Sequence, residues 1–371
     1  MQKHTISKVM ATLLLTASMM MGIAGCDSGT SGNTNTQSGN TPTSTPTSAP
    51  TAAPMAAKNT QPIKVVWYPN ESAKDYEGSR DEFAKLIEQA TGRKVENVTT
   101  TDYTIAIEAL ASGSADIGAV MGAVGYIEAK NKNSQVDVLF VNSGASGTLD
   151  DARYFSWLAV NKDDAAIYEV GGKYSISNIE SKKMSFVSNS STSGFKVPTT
   201  GIIDFFKDKK LTVDDLVEGG SNQFFSEVLF GGSHQGSAFN LVSGKADVAA
   251  FCDTELAPYA DLAEGEENKV GSVYAIKNDA SAPFDTVGGK EFVVIACTPV
   301  LNGPYAYNPQ NLSADEIQKI RDLFTSDETA NNEKFFYTPD SGNLGFYKKT
   351  NNERYQLVDD SWYNPIREMG N

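Results

Sequence analysis

An eight-residue pattern occurs twice in the chain, at an offset of 131 residues. Leu110–Ile117 reads Leu-Ala-Ser-Gly-Ser-Ala-Asp-Ile, and Leu241–Val248 reads Leu-Val-Ser-Gly-Lys-Ala-Asp-Val. In both copies the pattern predicts a helix that ends at the glycine, a tight turn, and a strand that begins at the aspartate. The repetition predicts two lobes built on a similar plan.

The correspondence extends into the loops that precede each copy. Tyr103 falls on His234, and the strand leading to Tyr68 has a counterpart in Phe186–Ser188, which leads into Ser190–Ser193. Open α/β sheets bind ligands outside the carboxyl ends of their strands, at helix N-termini. Facing lobes would therefore place these tyrosines, hydroxyls and the imidazole around one cleft.

Short β-branched runs alternate with amphipathic segments after Pro62. Ile63–Tyr68 and Lys94–Val98 have the composition of strands, and the apolar spacing within Arg80–Ala90 is helical. This alternation is typical of a parallel sheet flanked by helices, so the predicted fold class is α/β. Phe155–Asn161 and Glu291–Cys297 are strand-like segments placed to cross between the lobes.

A helix is also predicted near the C-terminus. Ser313–Phe324 has helical spacing, and Ser313 is followed by Glu316 at the third helical position, which is the pattern of a capping box. This helix would return the chain to the first lobe.

The N-terminus has the features of an export signal followed by a tether. Lys3 and Lys8 precede an apolar stretch that is short for a membrane-spanning helix, and Ile-Ala-Gly-Cys at 23–26 forms a lipobox ending at Cys26. We predict cleavage before Cys26 and its lipidation, which would hold the protein on the outer face of the cell membrane. Asp27–Gln61 is almost wholly Ser, Thr, Gly, Asn, Pro, Ala and Gln, and predicts a tether without a core.

Composition excludes several classes of partner and site. Without the signal, 29 basic and 46 acidic side chains remain, a formal charge of −17 that disfavours nucleic acid. A small oxyanion stays compatible, because its capture depends on local N–H and hydroxyl groups. His234 is the sole histidine outside the signal, so no histidine-rich metal site is predicted, and no cofactor. Cys252 and Cys297 lie in apolar surroundings that favour two free thiols over a disulfide.

Three groups of side chains are candidates for ligand contacts. Consecutive hydroxyls within Asn189–Phe195, before a helix predicted to start at Lys196 or Pro198, offer donors suited to a tetrahedral oxyanion, or form a loop with one capping hydroxyl. His234 would donate to an anion, with added charge if it is protonated, or would cap its helix. Asp253 and Glu255, after the strand that ends at Phe251, are candidates for contact with a ligand amine or acidic proton, or for an N-cap.

An enzymatic interpretation competes with binding. Ser193, His234 and Asp253 have the residue types of a hydrolase triad, but no Gly-x-Ser-x-Gly elbow is present. Ser193–Lys196 also satisfies Ser-x-x-Lys, yet a Lys-Thr-Gly partner is missing downstream. We therefore predict that the protein is not an enzyme.

Four motifs carry a resemblance to a known family. Thr101–Tyr103, the Ser-Thr-Ser-Gly-Phe-Lys-Val-Pro element at 191–198, Gly232–Gln235 and Lys245–Ala249 are similar to segments of the phosphonate, phosphite and phosphate substrate-binding proteins of the PhnD type. The resemblance spans Ile63 to about Phe324. It implies the type II periplasmic-binding fold, with two lobes joined by two hinge strands that close over a phosphorus oxyanion. The implied ligand-binding residues are Tyr68, Tyr103, Ser191, Thr192, Ser193, His234 and Asp253.

One departure from the family leaves the organic part of the ligand open. Binders of aminoalkylphosphonates place an aromatic residue after the strand Asp116–Val120, where this chain has Met121, and Tyr126 is the candidate substitute. The implied partners are a small phosphorus oxyanion and the permease and ATPase of an ABC importer, with the protein a lipid-anchored monomer outside the cytoplasm. A sensor subunit or a binder of another small solute is the alternative on the same fold.

These observations give a predicted division of the chain. Residues 1–25 are the signal peptide and 26–61 the lipidated cysteine and tether. Residues 62–157 with 292–371 form the first lobe, and 158–291 form the second.

Overall fold

The computed structural model describes residues 59–70, 75–339, 341 and 344–369. The predicted signal peptide, the lipidation site Cys26 and the tether up to residue 58 lie outside the described residues. The strands are β1 Ile63–Trp67, β2 Val95–Thr99, β3 Ile117–Ala119, β4 Asp137–Asn142, β5 Arg153–Asn161, β6 Glu169–Val170, β7 Lys173–Tyr174, β8 Lys183–Phe186, β9 Glu227–Phe230, β10 Val248–Cys252, β11 Ala260–Glu264, β12 Val273–Ile276, β13 Glu291–Leu301, β14 Tyr305–Tyr307, β15 Phe336–Tyr337, β16 Tyr347–Lys348 and β17 Tyr355–Gln356.

The α-helices lie between these strands, except the last, which follows β17. They are α1 Glu77–Thr91, α2 Tyr103–Ser112, α3 Ala123–Lys132, α4 Val197–Phe205, α5 Asp214–Val217, α6 His234–Val242, α7 Asp253–Leu256, α8 Ala314–Phe324, α9 Asp327–Ala330 and α10 Asn364–Glu368. A π-helical turn, Thr192–Lys196, leads directly into α4. Within the described part of the chain, every helix is too short or too polar to cross a bilayer.

Two sheets share one topology. The first has the order β17-β4-β14-β3-β1-β2, and the second has the order β11-β12-β13-β5-β10-β8-β9. In the first, β1 pairs in parallel with β2 and β3, and β14 is antiparallel to β3 and β4. In the second, β8 pairs in parallel with β9 and β10, and β5 is antiparallel to β10 and β13. Each lobe thus contains a parallel core with one antiparallel strand inserted, which confirms the predicted α/β fold with two similar lobes.

The repeated pattern occupies equivalent places in the two sheets. Gly113 and Gly244 end their helices with φ of 77° and 76°, a left-handed conformation that glycine adopts without a steric penalty. Asp116, before β3, accepts a 2.8 Å hydrogen bond from the backbone N–H of Lys64 at the start of β1. Asp247, before β10, accepts a 2.8 Å bond from the N–H of Lys183 at the start of β8. The repeat therefore encodes the same helix end and the same strand-to-strand attachment twice.

Each sheet is covered by apolar side chains on both faces. In the first lobe, one cluster packs α1 and α8 against one face, and a second cluster packs α2 and α3 against the other. Two more clusters cover the second sheet, one around Phe186 and Phe225 and one around Trp157 and Phe251. The predicted capping box on α8 is present, with Ser313 and Glu316 bonded reciprocally.

Two long strands lead from one lobe to the other. The chain passes from β4 of the first sheet into β5 of the second, and from β13 of the second sheet into β14 of the first. β5 and β13 pair with each other from Asn161 opposite Phe292 to Arg153 opposite Leu301. The predicted crossing segments are therefore both strands of the connection, longer than the sequence indicated.

Candidate functional site

A cavity of about 60 Å³ lies where loops of the two lobes meet. This volume holds a few water molecules or one small tetrahedral anion. Its lining comprises Asn70, Tyr103, Val120, Met121, Gly122 and Asn142 from the first lobe, Ser191, Thr192, Ser193, His234, Cys252, Thr254 and Glu255 from the second, and Tyr154, Asn302, Gly303 and Tyr347 beside them. The structure thus brings together five of the seven side chains predicted to bind ligand.

Several helices direct their N-termini at the cavity. Tyr103 and His234 are the first residues of α2 and α6, Gly122 precedes α3, and Thr192 begins the π-helical turn before α4. The predicted equivalence of Tyr103 and His234 is therefore confirmed as a structural one. Helix N-termini carry a partial positive charge that favours an anion. In three of these first turns a capping side chain, that of Asp102, Ser191 or Ser233, already accepts from part of the backbone N–H groups.

The serine and threonine hydroxyls are buried in this cavity. Ser191, Thr192 and Ser193 are each at most 2 % exposed. Ser191 Oγ accepts a 3.1 Å bond from the N–H of Gly194, so this hydroxyl caps the turn and keeps its own proton available. Thr192 Oγ1 accepts a 2.9 Å bond from the N–H of Val124 across the cleft, which joins the two lobes. The capping interpretation of this loop is confirmed for Ser191, and all three residues line the cavity, while their binding of an oxyanion stays a prediction.

His234 is held as a neutral hydrogen-bond donor. The backbone N–H of Cys252 donates to His234 Nδ1 at 3.1 Å, so Nδ1 carries no proton and the proton resides on Nε2. Burial lowers the pKa of His234 to about 3. The protonated imidazole considered from the sequence is therefore disfavoured at physiological pH, and the side chain offers an uncharged N–H to the cavity.

The two tyrosines differ in their relation to the cavity. Tyr103 lines it, and its hydroxyl donates a 2.7 Å bond to Asn70 Oδ1, while Asn70 Nδ2 donates to the carbonyl of Val120. Tyr68 lies behind, with its ring 4.8 Å from the ring of Tyr103. Its hydroxyl faces α3 at Gly125, where a Cβ atom would come within 1.5 Å of it. Burial raises the pKa of both phenols well above the usual value, so both remain protonated.

Asp253 does not line the small cavity. Its Oδ1 accepts from the N–H of Phe155 at 2.8 Å and its Oδ2 accepts from Asn268 Nδ2 at 3.1 Å. Burial raises its pKa to about 6, against the lowering effect of these hydrogen bonds. The carboxylate instead fastens α7 to the start of β5 and borders a larger neighbouring cleft. Glu255, two residues further on, takes the place beside the anion cavity.

A strained turn positions the first-lobe edge of the site. Val120 has φ of 53°, a left-handed conformation that costs a β-branched residue of order 1–3 kcal/mol. The turn is fixed on both sides, because Asn70 donates to the carbonyl of Val120 and the N–H of Met121 donates to the carbonyl of Pro304. Met121 consequently lines the cavity. Tyr126 bonds Asp360 at 2.6 Å and does not replace an aromatic residue there.

Sequence reasoning missed several members of the site. Asn70, Tyr154 and Asn302 line the cavity, although none was predicted to bind ligand. Hydrogen bonding between Tyr154 and Ser193 opposes the rise that burial causes in the pKa of Tyr154. The one available signal was position, since Asn70 follows β1 in the loop equivalent to Ser190–Ser193.

Among the described residues, the charged side chain bordering the cavity is that of Glu255. No group of three or more His, Cys, Asp or Glu residues suited to a metal ion occurs in the described ranges. Any anion here would be held by neutral hydroxyl, imidazole and backbone donors. Cys252 and Cys297 are both free thiols, as predicted. They lie on β10 and β13, on opposite sides of β5, which separates them.

Two α/β lobes, two connecting strands and a small donor-lined cavity between the lobes define a type II periplasmic solute-binding protein. Residues 65–363 match the family described as ABC transporter, phosphonate, periplasmic substrate-binding protein, and the chain belongs to that family. It is thus the extracytoplasmic substrate-binding component of an ABC transporter, and the resemblance found in the sequence is confirmed.

Individual relatives agree with this assignment. The chain is 29% identical over 235 residues to the phosphate-import protein PhnD of Mycolicibacterium smegmatis, a match that covers 60% of this chain and 67% of that protein. The fold is similar to a binding protein component of an ABC phosphonate transporter from Pseudomonas aeruginosa, with TM-score 0.58, 23% identity, and coverage of 83% and 85%. It is also similar to PhnD1 of Prochlorococcus marinus in complex with methylphosphonate, with TM-score 0.56, 16% identity, and coverage of 84% and 98%.

Proposed function

We propose that the protein captures a phosphorus oxyanion, namely a phosphonate, phosphite or phosphate, between its lobes and delivers it to an ABC permease. The observation that carries this proposal is the convergence of buried neutral donors and helix N-termini on one cavity of about 60 Å³. A tetrahedral anion needs several donors from different directions, and this arrangement supplies them without a lysine or arginine.

The donors divide between the lobes. We propose that the hydroxyls of Ser191, Thr192 and Ser193 and the Nε2–H of His234 bind from the second lobe, and Tyr103 from the first. Tyr103 would rotate its hydroxyl proton from Asn70 to a phosphorus oxygen. The other two predicted ligand residues would act indirectly: Tyr68 packs against the ring of Tyr103, and Asp253 fixes α7 against β5.

Hydrogen bonds that cross the cleft support a mechanism in which the lobes close over the ligand. Thr192 accepts from Val124, and Ser190 Oγ donates to Glu128 on α3 at 3.1 Å. On the other side of the cleft, Asp75 accepts 3.2 Å bonds from Tyr259 and Ser281 of the second lobe. A ligand held by both lobes would add to these contacts and shift the equilibrium towards the closed state. We propose 62–157 with 292–371 and 158–291 as the two moving bodies.

The hydrogen-bond directions support capture rather than catalysis. A hydrolase histidine receives orientation from a carboxylate that accepts its Nδ1–H. Here Nδ1 of His234 accepts from the backbone N–H of Cys252, so it has no proton to give to Asp253. A pKa near 3 also makes the imidazole a weak base. We therefore propose that Ser193 is a binding group and not a nucleophile.

The N-terminal prediction completes the proposed role. Lipidation at Cys26 would keep the protein at the cell membrane, and Asp27–Gln61 would give it the reach to dock on the permease as a monomer. The lipobox at 23–26 and the tether composition support this arrangement. Mass spectrometry of the mature N-terminus tests it, since a diacylated cysteine at position 26 is the expected species.

Titration calorimetry with phosphite, methylphosphonate, phosphate and sulfate tests the ligand class. We expect at least one phosphorus oxyanion to bind and to raise the melting temperature by mass action. A matched pair of variants assigns binding to the cavity: Ser193→Ala should weaken it, whereas Ser237→Ala, which removes a buried hydroxyl of α6 bonded to Ser185, should leave affinity unchanged. Sulfate binding without binding of any phosphorus compound contradicts the proposal.

A further inference from the structure

A second and larger cleft adjoins the anion cavity. Its volume is about 550 Å³, and four residues border both spaces: Asn142, Thr254, Asn302 and Tyr347. The cleft is open to solvent on one side, where exposed residues such as Ala145 and Ala257 line it. These four side chains stand between the two spaces, so a ligand that reached from the cavity into the cleft would pass them.

Side chains of the connecting strand β5 contribute to both the anion cavity and the larger cleft. Side chains alternate along a strand, and here Tyr154 borders the anion cavity and the hydroxyl of Ser156 bonds the carbonyl of Ser193 beside it. Arg153 and Trp157 line the larger cleft. One strand thus supplies polar contacts to one space and an aromatic wall to the other.

Aromatic rings from both lobes border the larger cleft. The second sheet and its loops contribute Trp157, on β5, and Tyr274, whose ring centroids are 4.5 Å apart. The first lobe contributes Tyr76 and Phe346, which stack with an interplanar angle of 3°, together with Tyr337 and Tyr347. Aromatic side chains on two sides of a cleft suit a planar or cyclic group, which gains area burial and ring contacts together.

The ionisable side chains that line this cleft are four acidic residues, Asp253, Asp261, Glu267 and Glu353, and three basic residues, Arg153, Lys277 and Lys348. Lys277 pairs with Asp261 at 3.4 Å and donates to two backbone carbonyls. Glu353 accepts bonds from Thr350 and from neighbouring backbone N–H groups. Both carboxylate oxygens of Asp253 accept hydrogen bonds, one from the N–H of Phe155 and one from Asn268. Because the formal charges of the lining nearly cancel and leave a small negative excess, the cleft favours an uncharged group over a second anion.

We propose, on the basis of the proposed function, that the ligand is a phosphorus oxyanion bearing an uncharged ring-sized organic substituent, with its phosphorus oxygens in the anion cavity and its substituent in the larger cleft. A phosphonate and a phosphate monoester share this chemistry. They differ in the atom that bridges phosphorus and the organic group. Free phosphate would leave the aromatic cleft empty.

The experiment compares ligands that differ in the substituent alone. Calorimetry with methylphosphonate, phenylphosphonate and phenyl phosphate should give about tenfold tighter binding for a phenyl compound than for the methyl one, because part of a phenyl group's apolar surface leaves water. The two phenyl compounds distinguish a carbon bridge from an oxygen bridge. Equal or weaker binding of both phenyl compounds, with methylphosphonate bound, overturns this inference and leaves the proposed function intact.

Two variants test whether the tighter binding of the phenyl compounds arises in the larger cleft. Ala257→Trp and Ala145→Trp fill it from different elements and leave the anion cavity untouched, so each should keep methylphosphonate affinity and remove the tenfold gain. Ala166→Trp is the control, because Ala166 is exposed and borders neither space. A gain that persists in both filled variants refutes the placement. Failure of the wild-type protein to bind any of the three compounds overturns this inference, and it refutes the proposed function as well if phosphite and phosphate also fail to bind.

Discussion

Replacement of His234 by alanine tests the donor geometry of the site. The variant His234→Ala removes the Nε2–H that faces the cavity, and a hydrogen bond to a charged acceptor contributes about 1.5–3 kcal/mol. The expected result is an affinity for the phosphorus ligand that is about 10- to 150-fold weaker by titration calorimetry. Ser237→Ala on the same helix serves as the control, since it removes a buried hydrogen bond away from the cavity and should leave affinity unchanged.

The pH dependence of this loss distinguishes a neutral imidazole from a charged one. With a pKa near 3, His234 is neutral at pH 5.5 and at pH 8. The ratio of wild-type to His234→Ala affinity should therefore be the same at both values, because ionisation of the ligand affects both proteins equally. A ratio that falls more than about threefold between pH 5.5 and 8 would mean that a protonated imidazole binds the anion, which refutes the tautomer assigned from the Cys252 bond.

The remaining predictions concern stability and lobe contacts. Gly125→Ala should lower the melting temperature because its Cβ would overlap the Tyr68 hydroxyl, whereas Gly201→Ala, in α4 with open space around it, should raise stability by about 0.5–1 kcal/mol; equal effects contradict this packing. Thr192→Val should weaken ligand binding by about 1–3 kcal/mol through loss of a hydroxyl that also bridges the lobes, while Thr199→Val, whose hydroxyl donates to the carbonyl of Phe195 in the preceding π-helical turn, should not. The pKa of His234 is about 3 in the folded protein and about 6.5 in the unfolded chain, so between these values only the unfolded chain takes up a proton. The free energy of unfolding is therefore at its full value above pH 6.5 and falls as the pH falls towards 3. Asp253, raised to about 6, has the opposite sign, since its unfavourable contribution is relieved below pH 6. Between pH 7 and 5, His234→Ala should thus lose about 2 kcal/mol less of its urea unfolding free energy than the wild type does, and parallel curves would contradict the assignment.

The repeated pattern made the fold predictable. Gly113 and Gly244 mark helix ends because only a left-handed residue fits there, and Asp116 and Asp247 mark strand starts because each accepts from a neighbouring strand. Such features are local, so one sequence suffices to find them. The alignment of Tyr103 with His234 then followed from the same offset.

The orientation of individual side chains was not predictable in the same way. Asp253 and Glu255 are two residues apart after the same strand, yet one borders the aromatic cleft and the other the anion cavity. Asp253 is turned away from the anion cavity because it accepts from the N–H of Phe155 and from Asn268, both of which are distant in the sequence. Asn70 likewise gains its role through Tyr103 and Val120, and none of these tertiary contacts has a local sequence signal.

The path of the chain, from the first sheet into the second and back, determines which sheet can form first after export. All strands of the second sheet come from one continuous stretch, 153–301, whereas the first sheet needs 63–142 and also 305–356. The second sheet can complete its hydrogen bonding from this stretch alone. The first sheet must wait for the last 70 or so residues, because β14 lies between β3 and β4 and the two strands cannot be joined without it. Pulse-labelled amide exchange during refolding should accordingly protect β8 and β10 before β3 and β4.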